Sequence, residues 1–179
     1  MFGFFRSKTK RQVKKFLNDY RVLLAMDLDD IWRIEDNTRF LTAMHGWVCK
    51  KYDDEEDIER LSYAERVLYF VYQLQVDVNY GGFSEFFCDG NGCFARETAA
   101  ALREIDADQM AIVCDRATSA LGCEIPEDLD ARRTILEKAI TDEVDGILKE
   151  CDNEFYKYPE DLYKLSYQFI MGHKTQFAR

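Results

Sequence analysis

Residues Gln75 to Phe87 read Gln-Val-Asp-Val-Asn-Tyr-Gly-Gly-Phe-Ser-Glu-Phe-Phe, and this stretch decides how the chain folds. Apolar residues before it recur at helical spacing, and the same spacing resumes after it. Because two adjacent glycines permit a positive φ and a close backbone approach, residues 79–82 predict a sharp corner between two helices. Three phenylalanines then lie at i, i+3 and i+4 on one side of the second helix. We interpret as a structural motif the residues Asn79, Gly81, Gly82, Phe83, Phe86 and Phe87.

The remaining sequence also predicts helices. Only two prolines and nine glycines interrupt 179 residues, of which 47% are apolar, and no segment shows a convincing strand pattern. A chain of this length can bury one sizeable core. We therefore predict an all-α fold, in which residues 16–179 form a single compact domain of about seven to nine helices with the glycine corner at 79–82.

Capping residues predict where two of these helices begin. Ser62 and Glu65 have the spacing of a capping box, so the central helix that leads to the glycine corner should begin there. Asn37 or Thr38 is the expected N-cap of the helix before it.

The second half of the chain predicts further helix ends. Residues 106–109 resemble another capping arrangement, and Gly122 is the natural stop of the helix that follows. Apolar residues then keep helical phase from Leu129 to Cys151, which predicts one long helix with a bend at Gly146.

Charge is distributed unevenly along the chain. Residues 1–15 hold six basic residues and no acid, which predicts a basic N-terminal arm. Residues 16–179 hold 18 basic and 34 acidic residues, a formal charge of −16. Because proteins bind nucleic-acid phosphates through Lys and Arg, this acidic body should not bind nucleic acid directly. The charge suits a basic partner surface, or it only keeps the protein soluble.

Two groups of carboxylates are candidates for a partner-binding face. A dense block of like charge is either a hydrated linker or one edge of a negative face, and both interpretations stay open. The first acidic row consists of Asp53, Asp54, Glu55, Glu56, Asp57 and Glu59. The second acidic row, on the outer side of the predicted long helix, consists of Glu143, Asp145, Glu150, Asp152 and Glu154.

No signature of catalysis or metal binding stands out. The six cysteines form no Cys-x-x-Cys pair, neither of the two histidines follows a glutamate by three residues, and no nucleophile elbow or phosphate-binding loop is present. We predict no catalytic residue, no metal and no cofactor. No signal peptide precedes the cysteines and no apolar run is as long as a bilayer span, so we expect a cytoplasmic protein without a membrane partner.

The glycine corner also carries a family resemblance. The run from Val78 to Phe87, with the turn Asn91-Gly92 and the segment from Thr98 to Ala107, resembles the core motif of a bacterial domain-of-unknown-function family that includes the DNA-mimic protein nineteen. The family pattern is roughly Val-Asn-Asn-Gly-Gly-Phe-x-Gln-Phe-Phe, and the resemblance covers about residues 61–177. This chain departs from the pattern at Tyr80, Glu85 and Asp106, where the family has Asn, Gln and Gly.

The resemblance implies a function as well as a fold. It implies a helical homodimer whose acidic surface imitates the phosphates of duplex DNA and occupies the DNA-binding surface of a basic protein such as a transcription regulator. Two alternatives stay open. One is an immunity protein or another interaction module that relies on shape and on aromatic anchors such as Tyr156 or Tyr158. The other is an uncharacterised enzyme.

Overall fold

The computed structural model describes residues 19–55, 57–88 and 90–178. The predicted basic arm at residues 1–15 lies outside the described residues, as do Glu56 and the side chains of Asp54 and Glu55. All regular secondary structure in the described ranges is helical, so the prediction of an all-α fold is confirmed. None of the described helices combines the length and the hydropathy that a membrane span requires.

Nine α-helices lie in the described ranges, within the predicted number. Three short 3₁₀ helices accompany them, at Ile58–Arg60, Gly92–Phe94 and Lys174–Gln176. The α-helices are α1 (described over 19–24), α2 (Leu28–Ile31), α3 (Asn37–Glu55), α4 (Tyr63–Cys88), α5 (Ala95–Glu104), α6 (Asp108–Leu121), α7 (Leu129–Ala139), α8 (Asp142–Phe155) and α9 (Leu162–Gly172).

Contacts between Cα atoms divide the chain into two units after Leu61. In the first unit, which takes in the described residues up to Leu61 together with Ala178, α3 packs on α2 and on the 3₁₀ helix that follows it. The buried side chains of this unit include Ile31, Phe40, Leu41, Met44 and Val48. The single domain expected over residues 16–179 stays a prediction.

The second unit, Ser62–Phe177, is built around α4. Helices α5 and α8 both pack on α4 and on α6, while α7 and α9 contact α4 as well. The apolar stripe that the sequence showed along α4 is fully or almost fully buried, at Val67, Leu68, Val71, Leu74 and Val78. This burial explains why a long helix with few charges is stable here, since most helical stability in proteins comes from packing of an apolar face.

The capping box at the start of α4 is confirmed. The backbone N–H of Ser62 donates to Glu65 Oε2 at 2.7 Å, and the Glu65 N–H donates to Ser62 Oγ at 3.3 Å. The expected cap of α3 is wrong by one residue, because Asp36 accepts from the Arg39 N–H at 2.8 Å. Asp36 precedes the helix and places its carboxylate at the first turn, where an acceptor and a negative charge are both favourable.

The long helix predicted from Leu129 to Cys151 is also wrong, because it is interrupted between α7 and α8. Ile140 leaves the helical region with ψ at 79°, and Thr141 is extended. The Thr141 hydroxyl accepts from the Val144 N–H at 3.3 Å and so caps α8. Gly146 lies inside α8 and not at the break. A two-residue interruption preserved the apolar phase, so periodicity alone did not reveal it.

Candidate functional site

The glycine corner interrupts the backbone of α4. Gly81 leaves helical geometry (φ −151°, ψ 19°), and Gly82 adopts φ 75° and ψ −172°. The second combination is open essentially to glycine alone. Helical structure resumes at Phe83, and its three motif phenylalanines are completely buried. The Phe83 ring meets Phe155 edge to face, with centroids 6.0 Å apart, so the segment after the corner is anchored against the end of α8.

Asp152, from α8, closes the glycine corner. Its Oδ1 accepts from the Phe83 N–H at 2.7 Å, at the point where a new helical segment begins and needs an acceptor. A Cβ atom added to Gly82 would lie 2.8 Å from Asp152 Cγ, so the carboxylate occupies the space that any other residue would need. Partial burial raises the pKa of Asp152, and the hydrogen bond from Phe83 opposes that shift.

Two tyrosines that follow α8 reach back to the same corner. The Tyr156 hydroxyl donates to the Val78 carbonyl at 2.8 Å, and the Tyr158 hydroxyl donates to Asn79 Oδ1 at 2.7 Å. The Asn79 side-chain amide donates in turn to the Gln75 carbonyl at 2.7 Å. The polar groups of α4 just before the glycine corner therefore have hydrogen-bond partners within the chain.

A second set of polar groups holds the turn at Gly90 and Asn91, which follows α4. Asp77 Oδ2 accepts from the Asn91 N–H at 3.0 Å, and burial raises the pKa of Asp77. The buried Arg132 of α7 donates to the carbonyls of Gly90, at 2.7 Å, and of Pro126 and Glu127. Neither Asp77 nor Arg132 was predicted from the sequence as a site residue. No local pattern marks an arginine that is held by three backbone carbonyls.

The second acidic row does not form one stripe along α8. With 3.6 residues per turn, Glu143, Glu150 and Glu154 point to one side of the helix, while Asp145 and Asp152 point to the other. Glu143 and Glu150 are exposed. The other three carboxylates have partners: Asp145 pairs with Lys149, Glu154 pairs with Arg116 at 3.1 Å, and Asp152 closes the corner. The structure thus joins the glycine motif and the second acidic row at Asp152.

The first acidic row lies in the first unit. Asp53 is exposed near the end of α3, which continues to Glu55. Asp57 caps the following 3₁₀ helix, since its Oδ1 accepts from the Glu59 N–H at 2.9 Å. Part of this row is therefore helix and part is a turn. The partner-binding role of both acidic rows stays a prediction.

Buried thiols are poor nucleophiles in this fold. Cys114 and Cys151 are fully buried, as expected for core residues. Burial raises the pKa of Cys114 to about 12, and it raises the pKa of Cys49 to the same value with a contribution from Asp53. A thiol with such a pKa carries almost no thiolate at neutral pH. Within the ranges that the structure describes, no group of three His, Cys, Asp or Glu side chains could hold a metal ion.

An open cavity of about 530 Å³ lies apart from the glycine corner. It is bordered by the start of α5, the end of α6 and the loop before α7, and both acidic and apolar side chains line it. Arg96, Cys93 and Glu124 are among them. Burial raises the pKa of the Cys93 thiol in this lining, which makes that thiol a weaker nucleophile at neutral pH.

Comparison with known proteins identifies a family for this chain. No curated protein and no solved structure gives a significant match to this chain. A family model described as DMP19-like protein matches residues 59–173, which is more than half of the chain and contains the glycine corner, Asp152 and α4 to α9. The chain is a member of the DMP19-like protein family.

Proposed function

We propose that this chain is a non-enzymatic acidic binding protein, a DNA mimic that occupies the basic DNA-binding surface of a partner protein. Membership of the DMP19-like family carries the proposal. The charge of the second unit supports it, because Ser62–Phe177 holds 22 acidic and 11 basic residues, a formal charge of −11. Such a surface attracts Lys- and Arg-rich faces and repels nucleic acid.

The placement of carboxylates on α8 fits a rigid imitation of phosphates. The two exposed carboxylates Glu143 and Glu150 are seven residues apart, which corresponds to about 10 Å along the helix axis. Charges on a packed helix keep their spacing, whereas charges on a hydrated linker do not. A DNA-binding surface needs fixed negative charges opposite its basic side chains.

Affinity capture from a lysate of the native host, at low and at high salt, tests this function. We expect a basic DNA-binding protein that is lost at high salt and displaced by duplex DNA, because both conditions weaken an electrostatic contact to the DNA-binding surface. The captured protein should bind Glu150→Lys more weakly than the wild type. Glu97→Lys on α5 is the matched control, since it changes an exposed glutamate by the same charge.

A partner that resists both high salt and duplex DNA would contradict mimicry. It would favour the alternative of an immunity or other interaction module that depends on shape and aromatic anchors. We include in the proposal a homodimer that acts in the bacterial cytoplasm, for which light scattering after size exclusion is the test. A protein that runs as a monomer over the whole accessible concentration range would contradict this part.

A further inference from the structure

Tyr156 and Tyr158 are partly exposed residues whose hydroxyls are bound by the protein itself. Both hydroxyls donate to acceptors on α4, at 2.8 Å and 2.7 Å, yet the residues are 44% and 45% exposed. A tyrosine at a surface commonly buries its ring and leaves its hydroxyl in water. Here both hydroxyls already have an acceptor within the protein, so they are not needed to bind water or a partner.

The part of α4 just before the glycine corner extends this surface. Tyr80 is 82% exposed, and Val76, one turn earlier on the same side of the helix, is 42% exposed. Asn79 lies between them in the sequence and accepts the hydrogen bond from Tyr158. The Tyr158 hydroxyl therefore contacts α4 at the residue next to Tyr80. We call Tyr80, Tyr156 and Tyr158 the tyrosine surface.

Two rings of the tyrosine surface are already fixed before any partner binds. Besides the two hydroxyl hydrogen bonds, the buried Phe155 ring packs against Tyr158 with centroids 5.7 Å apart and against Tyr156 at 6.3 Å. Rings held in place lose little conformational entropy on binding, and this makes them effective anchors at interfaces.

The charges near the tyrosine surface favour a cation. Asp152 lies one turn before Tyr156, and its charge contributes, after burial, to the raised pKa of that phenol. Glu85 lies against Gly81 on the other side of the corner. Lys157 lies between the two tyrosines in the sequence, and the charge of Lys149 also acts on Asp152. The attraction for a cation therefore comes mainly from the formal charge of −11 of the whole unit.

We propose that the tyrosine surface binds an arginine side chain of a basic protein partner, with the guanidinium stacked on the rings. The guanidinium group is planar, weakly hydrated and stacks on aromatic faces, whereas the lysine ammonium is compact and strongly hydrated. The surface therefore discriminates between two side chains of equal charge, which an acidic row cannot do. This inference rests on the proposed function, because the same partner supplies the arginine.

Calorimetric titration of the full chain with two peptides tests the inference. The probes are a short poly-arginine and a poly-lysine peptide of equal length, and we expect the arginine peptide to bind about 5-fold more tightly. Tyr80→Ala should remove most of that preference and leave lysine-peptide affinity unchanged. Tyr163→Ala is the control, because Tyr163 is a half-exposed tyrosine that belongs to α9 and not to the tyrosine surface. Circular dichroism checks that each variant is folded.

Equal affinity for the two peptides, no binding of either, or the same response from Tyr80→Ala and Tyr163→Ala overturns the inference. Glu150→Lys separates it from the proposed function. If this change weakens the binding of both peptides equally and arginine is not preferred, the result supports the role of the α8 carboxylates and contradicts the role of the tyrosine surface. If the arginine preference persists and Glu150→Lys does not change peptide affinity, the result supports the tyrosine surface and contradicts electrostatic mimicry by α8.

Discussion

At the scale of single residues, Gly82 is a position where the backbone conformation requires glycine. Its φ of 75° excludes ordinary side chains, and the Asp152 carboxylate fills the place of a Cβ atom. We expect Gly82→Ala to lower the free energy of unfolding by roughly 3 kcal/mol, since backbone strain and displacement of Asp152 act together. Urea unfolding followed by circular dichroism measures this change.

The matched control for Gly82 is another glycine of the same unit. Gly146 lies inside α8, and nothing lies within 4 Å of an added Cβ atom. Gly146→Ala should therefore raise the free energy of unfolding by roughly 0.5–1 kcal/mol, because alanine has less backbone freedom to lose. A comparable loss of stability in both variants would contradict the account of the corner.

At the scale of helices, the start of α6 is stabilised by a residue 50 positions away. Glu160 accepts from the backbone N–H groups of Gln109 and Met110, at 2.8 Å and 2.9 Å. The capping arrangement predicted for residues 106–109 is wrong, since Ala107 precedes the helix and Asp106 has a positive φ of 64°. Glu160 caps α6 because the chain after α8 brings its carboxylate to the first N–H groups of that helix.

Removing Glu160 should therefore cost more than removing the local acid. We expect Glu160→Ala to lower the free energy of unfolding by roughly 1–3 kcal/mol, the range for backbone donors that lose a charged acceptor. Asp106→Gly should leave stability unchanged or raise it by up to about 1 kcal/mol, because glycine accepts a positive φ without strain. Denaturant unfolding of both variants measures these changes. A larger loss of stability in Asp106→Gly than in Glu160→Ala would show that Asp106 is the cap.

At the scale of the whole molecule, buried titratable groups in the two units should respond to acid in opposite directions. Burial lowers the pKa of His45, in the first unit, to about 3 from an ordinary 6.5. Below pH 6.5, His45 therefore binds a proton in the unfolded chain but stays neutral in the native state. The free energy of unfolding decreases as the pH is lowered between these two values, by about 1.4 kcal/mol per pH unit. Asp77 and Asp152, in the second unit, have raised pKa values. They bind protons more readily when folded, so their contribution to stability rises as the pH falls.

Hydrogen exchange at pH 7, 5.5 and 4.5 can separate these effects, because it reports α3 and α4 individually. We expect protection of α3, corrected for intrinsic exchange, to fall on acidification, and His45→Leu should flatten that dependence. An unchanged pH dependence in His45→Leu would show that another group controls the acid response of the first unit.

The sequence by itself determined the helical class, the corner at 79–82, the capping box at Ser62 and the family, since each depends on spacing or backbone freedom within a few neighbouring residues. Only the tertiary structure decided which distant side chains accept hydrogen bonds from the backbone of the corner and of the helix starts. Asp152, predicted as part of an acidic row, closes the corner 69 residues away, and Glu160 caps α6. Backbone N–H groups at helix starts need an acceptor but do not specify its origin. Packing decides which carboxylate reaches them.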